Sequence, residues 1–371
     1  MILHICEDNR FVAMAKNQFD QIDPGQHFFL VNSSDNKANY INDTTNIILK
    51  KSGSPEHLSV IESQEWKTVI FHNLNQKYKW NIIKNLPNHT LIIWFSWGSD
   101  IYMLPKLKNK LYLNYTKELI AKTSNRIFGI EKNSILQFIL KKHHKQLKAI
   151  SRINYCAPVI PHDIQLLNKT YHLNIKTAEF SYGDLDYYLG NDKSKLELGN
   201  NILIGNSGDF SNNHADVFQI VKKINTPNSK IIVPLSYGGS EKYRQEIKKL
   251  GVTMFAENFI SLDKVIPLNE YRDILFSCSI AIMYHKRQQA LGNIIMLLWM
   301  GVKLYFHNES PVYKYFKDND LFVYQLDEIM KHNGITPLNN MQVMHNRSKL
   351  SHLYSKESVL NKTQSIVDLI P

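Results

Sequence analysis

The stretch NILIGNSGDFSNNHADVFQIVKKI, residues 201–224, is the most informative part of the sequence for the fold. Its apolar start, Asn201–Gly205, predicts a buried strand, and its later apolar spacing predicts a helix from about Ser211 to Ile224. The polar, glycine-containing loop between them is typical of the carboxyl end of a strand in a doubly wound sheet. Such a loop can bind a phosphate, because glycines let the backbone approach and a following helix offers free N–H groups.

The same alternation of strands and helices runs through the rest of the chain. Downstream it predicts the strands Lys230–Pro234, Val252–Phe255, Ile280–Tyr284 and Val302–Phe306, with helices that include Ser240–Leu250 and Gln288–Met300. Upstream it predicts the strands Ile2–Cys6, His27–Val31, Thr68–His72, Thr90–Phe95 and Arg126–Ile130, with the helices Phe11–Ile22, Asn75–Asn85 and Glu131–Lys148. Alternation of this kind predicts parallel sheets with right-handed crossovers.

Length and composition set the domain organisation. A chain of 371 residues with 43% hydrophobic residues fits two packed domains and excludes wholesale disorder. We therefore predict an α/β protein with two facing Rossmann-like domains and an interdomain cleft. The first covers 1–190 and the second 200–338, with helices over 339–371 that can cross back to the first domain.

The cysteines and the apolar runs bear on the cellular compartment. Cys6, Cys156 and Cys278 are odd in number, widely spaced and set among apolar residues, which argues against disulfides or zinc and favours a reducing cytosol. The N-terminus MILHICEDNR lacks the features of a signal peptide. The longest apolar run, Gly292–Phe306, is interrupted by Lys303 and is too short to cross a bilayer. We expect a peripheral protein on the cytoplasmic face of a membrane.

Positive charge is concentrated in one region. Residues 101–176 hold 14 Lys and Arg against three acids, so their excess equals the net charge of +11 of the whole chain. An anionic membrane surface is one partner for this region, and a lysine-rich solvated surface is the alternative. The hypothesis of a membrane surface depends on the apolar residues between the lysines, which an interfacial helix requires. These are Tyr102, Leu104, Leu107, Leu111 and Tyr112. No nucleic-acid-binding module is present, so we expect no nucleic acid as partner.

A second candidate binding loop follows the strand that ends at Tyr284. It reads HKRQQALGN, residues 285–293, and places Arg287, Gln288 and Gln289 at the predicted start of an apolar helix. A cation at a helix N-terminus opposes the helix dipole, and a bound pyrophosphate would reverse that penalty through charge-assisted hydrogen bonds. A surface cap on a buried helix is the alternative.

Other strand ends carry weaker candidates. Tyr237 lies at the tip of the turn PLSYGG, residues 234–239. Asp100, after the strand Thr90–Phe95 and the residues SWGS, is a candidate general base or, alternatively, a helix N-cap. His4 and Glu7 are lesser candidates at the end of the first strand. Asp184-Leu185-Asp186 has the spacing of a metal-binding Asp-x-Asp, but it lies beside the predicted linker, so we expect no metal.

Five motifs of the sequence, taken in order, carry a resemblance to a known family. They are WGSDIY at 97–102, GNSGDFSNNH at 205–214, IIVPLSYG at 231–238, EKYRQEIKKLG at 241–251 and RQQALGN at 287–293. With them the sequence resembles the bacterial TDP-N-acetylfucosamine:lipid II N-acetylfucosaminyltransferase family, also called the 4-alpha-L-fucosyltransferase family, of enterobacterial common antigen assembly. The first 90 residues and the stretch from Glu131 to Asn200 depart from the family pattern.

The resemblance implies a metal-independent glycosyltransferase that needs no cofactor. Its donor would be a TDP-sugar, and its acceptor an undecaprenyl-diphosphate-linked glycan in enterobacterial common antigen or O-antigen synthesis. It implies donor binding by the second domain, where Gly205, Asn206, Ser207, Arg287, Gln288, Gln289 and Asn293 would hold the phosphates and the sugar, with Tyr237 near the nucleotide. To these we add Ser211 and Asn212, which can cap the helix that follows, and Gly292 of the second loop. It also implies that Asp100 faces the acceptor hydroxyl.

The expected mechanism places the donor diphosphate against helix N-termini at Ser211 and Gln288. Arg287 would stabilise the charge that develops on the leaving nucleotide, and Asp100 would accept the proton of the acceptor hydroxyl. Two alternatives stay open, namely a nucleotide-sugar epimerase of the same architecture and a non-catalytic glycan-binding subunit.

Overall fold

A computed structural model of the chain describes residues 1–123, 143–190, 198–224, 228–329 and 336–371. The predicted strand Arg126–Ile130 and most of the predicted helix Glu131–Lys148 lie outside these residues. The described chain forms two compact units, each built on one parallel β-sheet. Unit 1 holds the described residues of Met1–Leu107, Gly129–Asp184 and Leu353–Pro371, and unit 2 those of Lys108–Phe128 and Leu185–His352.

The sheet of unit 1 has seven strands in the order β3-β2-β1-β4-β5-β6-β7, and every pairing is parallel. The strands are β1 Ile2–Glu7, β2 His27–Asn32, β3 Ile47–Lys50, β4 Thr68–His72, β5 Leu91–Phe95, β6 Tyr155–Ala157 and β7 Lys176–Thr177. The order reverses direction at β1 and β4, so the carboxyl ends of these strands lie at the switch point where doubly wound sheets bind ligands.

The helices of unit 1 cover its sheet and begin at ordinary caps. Asn9 and Ser54 accept hydrogen bonds from the first turns of the helices that follow them. The helices are Arg10–Ile22, Pro55–Glu62, Lys77–Asn85, Ser99–Tyr102, Pro105–Lys108, Pro161–Tyr171 and Lys356–Val367. The last of these buries Ile366 in the apolar cluster beneath β1, which is why the C-terminal residues belong to unit 1.

The sheet of unit 2 has six parallel strands in the order β10-β9-β8-β11-β12-β13. They are β8 Asn201–Ile204, β9 Ile231–Pro234, β10 Phe259–Leu262, β11 Cys278–Met283, β12 Lys303–Phe306 and β13 Tyr324–Gln325. The helices are Asn114–Thr123, Leu185–Leu189, His214–Val221, Glu241–Phe255, Leu268–Phe276, Leu291–Met300, Pro311–Asp318, Leu326–Ile329 and Asn340–Tyr354, with 3-10 turns at Phe210–Asn212 and Ala256–Asn258.

One predicted strand is wrong. Residues 252–255 end the helix Glu241–Phe255, and the strand comes afterwards as β10. Gly251 does not stop the helix, because its missing side chain makes room for a ring. A Cβ atom at Gly251 would lie 2.2 Å from the Phe259 ring.

The division of the chain differs from the predicted 1–190 and 200–338. The segment 108–123 lies in unit 2, although it comes from the first third of the sequence. Asn213 Oδ1 accepts from Leu113 N at 2.9 Å, and Asp216 accepts from the backbone N–H groups of Tyr115 and Thr116. These bonds satisfy amides at the start of the helix Asn114–Thr123 and hold the segment on unit 2.

The apolar residues that were predicted to contact a membrane are mostly in the core. Tyr102, Leu104, Leu107 and Leu111 are all buried, so the prediction that they form an apolar membrane-facing stripe is wrong. The lysines between them, Lys106, Lys108 and Lys110, are exposed. Within the described part of the chain, no helix has the length and hydropathy that crossing a bilayer requires.

Candidate functional site

Three loops meet at the carboxyl end of the sheet in unit 2. They follow β8, β9 and β11, which are adjacent strands, and cover residues 205–213, 235–240 and 284–290. The carboxyl ends of parallel strands in such a sheet form the usual ligand-binding edge. The second-half motifs GNSGDFSNNH and RQQALGN supply most of the side chains there.

Two glycines allow close packing at this sheet edge, one within a loop and one between two loops. Gly205 has a φ of +69°, and a Cβ atom there would lie 2.8 Å from Asn212 Oδ1 and 2.9 Å from His214 Nε2. A Cβ atom at Gly239, which has a φ of +60°, would lie 2.2 Å from the carbonyl oxygen of Gly208. A larger residue at Gly205 would disturb the loop after β8, and one at Gly239 would push the loops after β8 and β9 apart.

A network of amides and hydroxyls joins all three loops. Gln289 Nε2 donates to Asn206 Oδ1 at 2.6 Å, and Ser211 Oγ lies 2.5 Å from Gln289 Oε1. Asn206 Nδ2 donates to the hydroxyl of Tyr237 at 3.3 Å. The side chains of Asn206, Ser211 and Gln289 are buried, whereas Tyr237 is 53% exposed. The network therefore fixes the base of the site and leaves an aromatic ring available at its rim.

Arg287 supplies the cation of this site. Its Nε donates to Ser211 Oγ at 3.0 Å, and its Nη2 lies 3.6 Å from Asp209 Oδ1. Although burial opposes ionisation, the Arg287 guanidinium and hydrogen bonds from Ser211 hold the pKa of Asp209 below its ordinary value. The guanidinium side chain is 16% exposed, so a ligand can reach a charge whose field is little screened by water.

His285 contacts the backbone of Arg287 and so helps to position that residue. His285 Nδ1 lies 3.0 Å from the carbonyl oxygen of Arg287, and the imidazole is completely buried. Burial first, and the Arg287 cation second, lower the pKa of His285 to about 3. The ring is therefore neutral and donates its Nδ1–H to that carbonyl.

Two predicted donor-binding residues instead hold the loop itself. Asn212 Nδ2 donates to the carbonyl oxygen of Ser207 at 2.9 Å, and Asn212 Oδ1 accepts from Asn206 N at 3.3 Å. Ser207 Oγ lies 3.3 Å from Asn212 Nδ2, and both side chains are buried. Their observed contacts are within the loop, which they brace in the shape that presents Asn206 and Ser211.

The helix starts differ from the predicted ones. The helix predicted at Gln288 begins at Leu291, because Ala290 adopts the left-handed conformation with a φ of 60°. The helix predicted from Ser211 begins at His214, after a 3-10 turn and a left-handed Asn213. Ser211 and Gln288 are therefore loop residues, and the predicted helix-dipole contribution at those two positions is wrong.

The remaining predicted residues of this loop lie apart from the network. Gln288 is buried, and its carbonyl oxygen accepts from Arg287 Nη1 at 3.3 Å. A Cβ atom at Gly292 would lie 2.9 Å from the Tyr188 ring, and Asn293 Nδ2 donates to the Tyr271 hydroxyl at 3.4 Å.

Sequence reasoning missed two residues of the site. Asp209 is one of them, although an acid directly after Gly208 in this loop is visible in the sequence. Arg244 donates from Nη1 to the carbonyl oxygen of Gly238 at 2.9 Å and so fixes the glycine turn after β9. No signal in the sequence distinguishes Arg244 from other basic residues of its helix.

Asp100, the predicted general base in unit 1, is buried and fully engaged. Its carboxylate accepts from Trp94 Nε1 at 2.8 Å and from the backbone N–H groups of Leu74 and Trp97, each at 3.0 Å. Burial raises the pKa of Asp100, while these hydrogen bonds oppose the rise. The N-cap of the next helix is Gly98, so the alternative N-cap role is wrong, whereas the general-base role stays a prediction. Asp100 instead joins the ends of β4 and β5.

The lesser candidates of unit 1 have partners as well. Glu7 accepts from Asn73 Nδ2, from the Tyr78 hydroxyl and from Lys79 Nζ, with distances of 3.0–3.1 Å. His4 is completely buried within the sheet rather than at its edge.

The C-terminal part of the chain matches a known family, and the whole chain matches known folds. Residues 185–358 match the family model described as 4-alpha-L-fucosyltransferase glycosyl transferase group 56. A glycosyltransferase from Rickettsia africae ESF-5 is similar at 12% identity and a TM-score of 0.64, covering 100% of this chain and 98% of that one. Sucrose-phosphate synthase from Thermosynechococcus elongatus has 8% identity, a TM-score of 0.66 and the same coverage.

A third similar structure is WaaG, a glycosyltransferase involved in lipopolysaccharide biosynthesis. It has 11% identity and a TM-score of 0.56, and the match covers 99% of each chain. At such identities the likeness shows the fold alone, which is the GT-B type with two Rossmann-like domains. The ordered motifs and the family match agree: residues 185–358 of the chain are similar to the 4-alpha-L-fucosyltransferase family.

Proposed function

We propose that the protein transfers a sugar from thymidine diphosphate to a lipid-linked glycan. Glycosyl transfer is the reaction class of its family. The observation that carries the proposal is the convergence of Arg287, Asn206, Ser211, Gln289 and Tyr237 at one sheet edge. A guanidinium surrounded by neutral amides and hydroxyls suits a diphosphate that is attached to a sugar with several hydroxyl groups.

In this proposal Arg287 acts on the leaving group. As the bond between the sugar and the diphosphate breaks, negative charge accumulates on the phosphate oxygens, and the guanidinium stabilises it. The amides of Asn206 and Gln289 orient the sugar, and the exposed ring of Tyr237 lies near the nucleotide. The cation would replace the divalent metal that other transferases use, so we propose that no metal is required.

The acceptor part of the proposal concerns unit 1. An undecaprenyl-diphosphate-linked glycan of surface-polysaccharide assembly, of the enterobacterial common antigen or O-antigen kind, would bind there. Exposed lysines of this unit, among them Lys106, Lys145 and Lys148, would attract the anionic cytoplasmic surface of the membrane. Because the apolar residues between the lysines are buried, we propose that this association is electrostatic and therefore salt-sensitive.

The test of donor binding is a thermal-shift panel with TDP, UDP, GDP and CDP. We expect TDP to stabilise the protein most, because ligand that binds only the folded state raises its melting temperature. Arg287→Ala should remove most of the shift and should also raise the donor KM and lower kcat. Lys286→Ala is the matched control, since that neighbouring cation pairs with Glu309 at 3.0 Å.

A shift by TDP that is equal in wild type and Arg287→Ala would contradict the proposed site, and a preference for UDP would contradict the proposed donor. Incubation with the donor alone separates the alternatives. Interconversion of sugars without acceptor would identify an epimerase. Binding of glycan without any turnover would identify a non-catalytic subunit.

A further inference from the structure

Three histidines form a buried hydrogen-bonded chain across the sheet of unit 1. His27 begins β2, His4 lies in β1 and His72 ends β4, and all three side chains are buried. His4 Nε2 lies 2.8 Å from His27 Nδ1, and His4 Nδ1 lies 2.9 Å from His72 Nε2. Since β1 lies between β2 and β4, the three hydrogen-bonded histidines connect adjacent strands, from the amino end of β2 to the carboxyl end of β4.

Each end of the histidine chain continues into a polar residue nearer the surface. At the carboxyl end, His72 Nδ1 lies 3.0 Å from the hydroxyl of Tyr182, which accepts from Trp97 Nε1 at 2.8 Å. At the amino end, His27 Nε2 lies 3.2 Å from Asp23 Oδ2, an ion-pair distance rather than an aligned hydrogen bond. The Asp23 side chain is 29% exposed. We name the series Tyr182, His72, His4, His27 and Asp23 the histidine relay.

The chemistry of the two ends fixes the position of every proton in the histidine relay. The Asp23 carboxylate can only accept, so a neutral His27 turns its Nε2–H towards it at 3.2 Å and accepts from His4 at Nδ1. In the same way His4 accepts from His72, which leaves His72 Nδ1 to accept from the Tyr182 hydroxyl, whose oxygen accepts from Trp97. All three rings are therefore neutral Nε2–H tautomers that donate in the same direction.

Tyr182 has capacity for one further hydrogen bond. A phenol oxygen has one proton and two lone pairs, of which Trp97 occupies one. Its ring is part-exposed and packs against Trp97 and Phe11, and Phe11 is 44% exposed. Aromatic rings at a surface are suited to contact the apolar face of a sugar, which would bring a sugar hydroxyl near the free lone pair.

The carboxylates at the same sheet edge are already engaged. Asp100 accepts three hydrogen bonds, and Glu7 is bound by Lys79, Tyr78 and Asn73. Asp8 accepts from the backbone N–H groups at 39 and 40. These three acids are therefore held by partners within unit 1, whereas the Tyr182 oxygen keeps one lone pair for an acceptor hydroxyl.

We infer that the histidine relay is the general base for the acceptor hydroxyl, with Tyr182 as the residue that contacts it. This inference rests on the proposed transferase function. The acceptor O–H proton passes to the Tyr182 oxygen as the Tyr182 proton passes to His72 Nδ1. The Nε2 protons of His72 and His4 then shift along to His4 and His27. The acceptor oxygen forms its bond to the sugar, and the electron pair of the broken bond leaves with the nucleoside diphosphate.

The transferred charge is held as an imidazolium at His27, where the Asp23 carboxylate stabilises it. After the product leaves, the proton returns by the same path to water at Tyr182, which restores the starting tautomers. Other charged groups around the relay are few and surround its ends: Lys79 near His72, Asp20 and the N-terminal amine near His27, and Glu7 and Asp100 near Tyr182.

The pKa directions agree with this starting state. Burial, more than neighbouring charge, lowers the pKa of His4, that of His72 to about 3 and that of His27 to about 4. Burial also raises the pKa of Tyr182, so its hydroxyl keeps its proton. The three rings are thus neutral at pH 7, as the starting state requires.

The first test needs no substrate. Two-bond ¹H–¹⁵N correlation spectra of the full chain labelled with ¹⁵N-histidine report the tautomer of each ring. We expect neutral Nε2–H forms for His4, His27 and His72 at pH 7, and a changed His72 signal in Tyr182→Phe. A charged ring or an Nδ1–H tautomer at any of the three would overturn the inference.

The second test is kinetic and uses TDP-N-acetylfucosamine with a short-chain polyprenyl-diphosphate-linked disaccharide. Tyr182→Phe should lower kcat by about 10²–10⁴-fold, the usual contribution of general-base catalysis, and leave the donor KM within about twofold. Asp23→Asn should lower kcat by about tenfold to a thousandfold, because an opposite charge shifts a pKa by about 1–3 units. Tyr171→Phe, which removes a hydroxyl that accepts from Lys106 N, is the matched control.

A solvent-isotope experiment separates proton transfer from a structural role. Wild-type kcat in H₂O–D₂O mixtures should curve downward with deuterium content, as expected when several protons move together, whereas a single transfer gives a straight line. A straight line, or Tyr182→Phe kinetics equal to those of Tyr171→Phe, would overturn the relay while leaving the transferase function intact. Absence of transfer by the wild type, with donor bound, would overturn both.

Discussion

At the scale of single residues, the proposed donor site contains an acid that would compete with the donor. Asp209 lies 3.6 Å from the Arg287 guanidinium and also caps the 3-10 turn through Ser211 N. A diphosphate that binds Arg287 must displace this carboxylate or accept its repulsion. The site is thus held in shape by an internal anion at the place proposed for the donor phosphates.

We therefore expect Asp209→Asn to bind TDP more tightly. The amide oxygen keeps the cap on Ser211 N, and the loss of the negative charge frees Arg287. A gain of about fivefold is expected, equivalent to roughly 1 kcal/mol for a part-exposed ion pair. Isothermal titration calorimetry with TDP measures it, and Asp209→Ala separates the charge from the cap. Weaker TDP binding by Asp209→Asn would show that the carboxylate itself helps to hold the donor.

Asp100 shows what could be predicted from the sequence for a single residue and what could not. The motif Trp-Gly-Ser-Asp after an apolar strand placed an acid correctly at a strand end. The surroundings of its carboxylate depend on Trp94, whose indole reaches it across the end of β5, and on the backbone N–H of Leu74, 26 residues earlier. Contacts of this kind follow from the packed sheet and are not visible as a local pattern.

At the scale of elements, the family motif of unit 2 has a structural task beyond the site. Asn213 is buried in the left-handed conformation, and its Nδ2 donates to the carbonyl oxygens of Leu111, Ser211 and Tyr284. Its Oδ1 accepts from Leu113 N. One side chain thereby ties three segments that are about 70 to 100 residues apart in the sequence. The sequence predicted a continuous helix here, since an asparagine pair gives no hint of such distant partners.

We expect Asn213→Gly to destabilise the protein by about 2–3 kcal/mol. Glycine tolerates the left-handed backbone conformation of this position. The decrease in the free energy of unfolding therefore reports the loss of the four side-chain hydrogen bonds, which leaves their buried partner groups unsatisfied. Asn36→Gly is the matched control, because Asn36 has a similar φ of 56° and is exposed. Urea unfolding should show a change within about 0.5 kcal/mol for the control. Equal effects of the two substitutions would contradict the proposed role of Asn213.

At the scale of the whole molecule, the alternation of strands and helices was sufficient to predict two parallel α/β units. Hydrophobic periodicity is a local property, and so it identified most strands, including those that carry or precede the candidate residues: β1, β5, β8, β9 and β11. The path of the chain was not predictable in the same way. The segment 108–123 joins unit 2 through Asn213 and Asp216, and the C-terminal helix joins unit 1 through Ile366.

Both units also share buried neutral histidines, and this makes the whole fold sensitive to acid. Burial lowers the pKa of His72 and His285 to about 3 and of His27 and His214 to about 4, against 6.5 in the unfolded chain. Below pH 6.5 these histidines bind protons in the unfolded chain but stay neutral in the folded chain. The free energy of unfolding is therefore highest above that pH and falls as the pH drops towards 4. Each such histidine lowers the free energy of unfolding by about 1.4 kcal/mol for each pH unit of this decrease.

Urea unfolding between pH 7.5 and 5 should therefore show a steep loss in the free energy of unfolding, well before most carboxylates titrate. His214→Gln should reduce the slope by about one proton, because both ring nitrogens of His214 lack partners among the described residues and its neutral state depends on burial. His89→Gln should leave the slope unchanged, since that ring is 63% exposed. A flat profile from pH 7 to 5 would show that the buried rings are protonated in the native protein, which would also remove the starting state of the histidine relay.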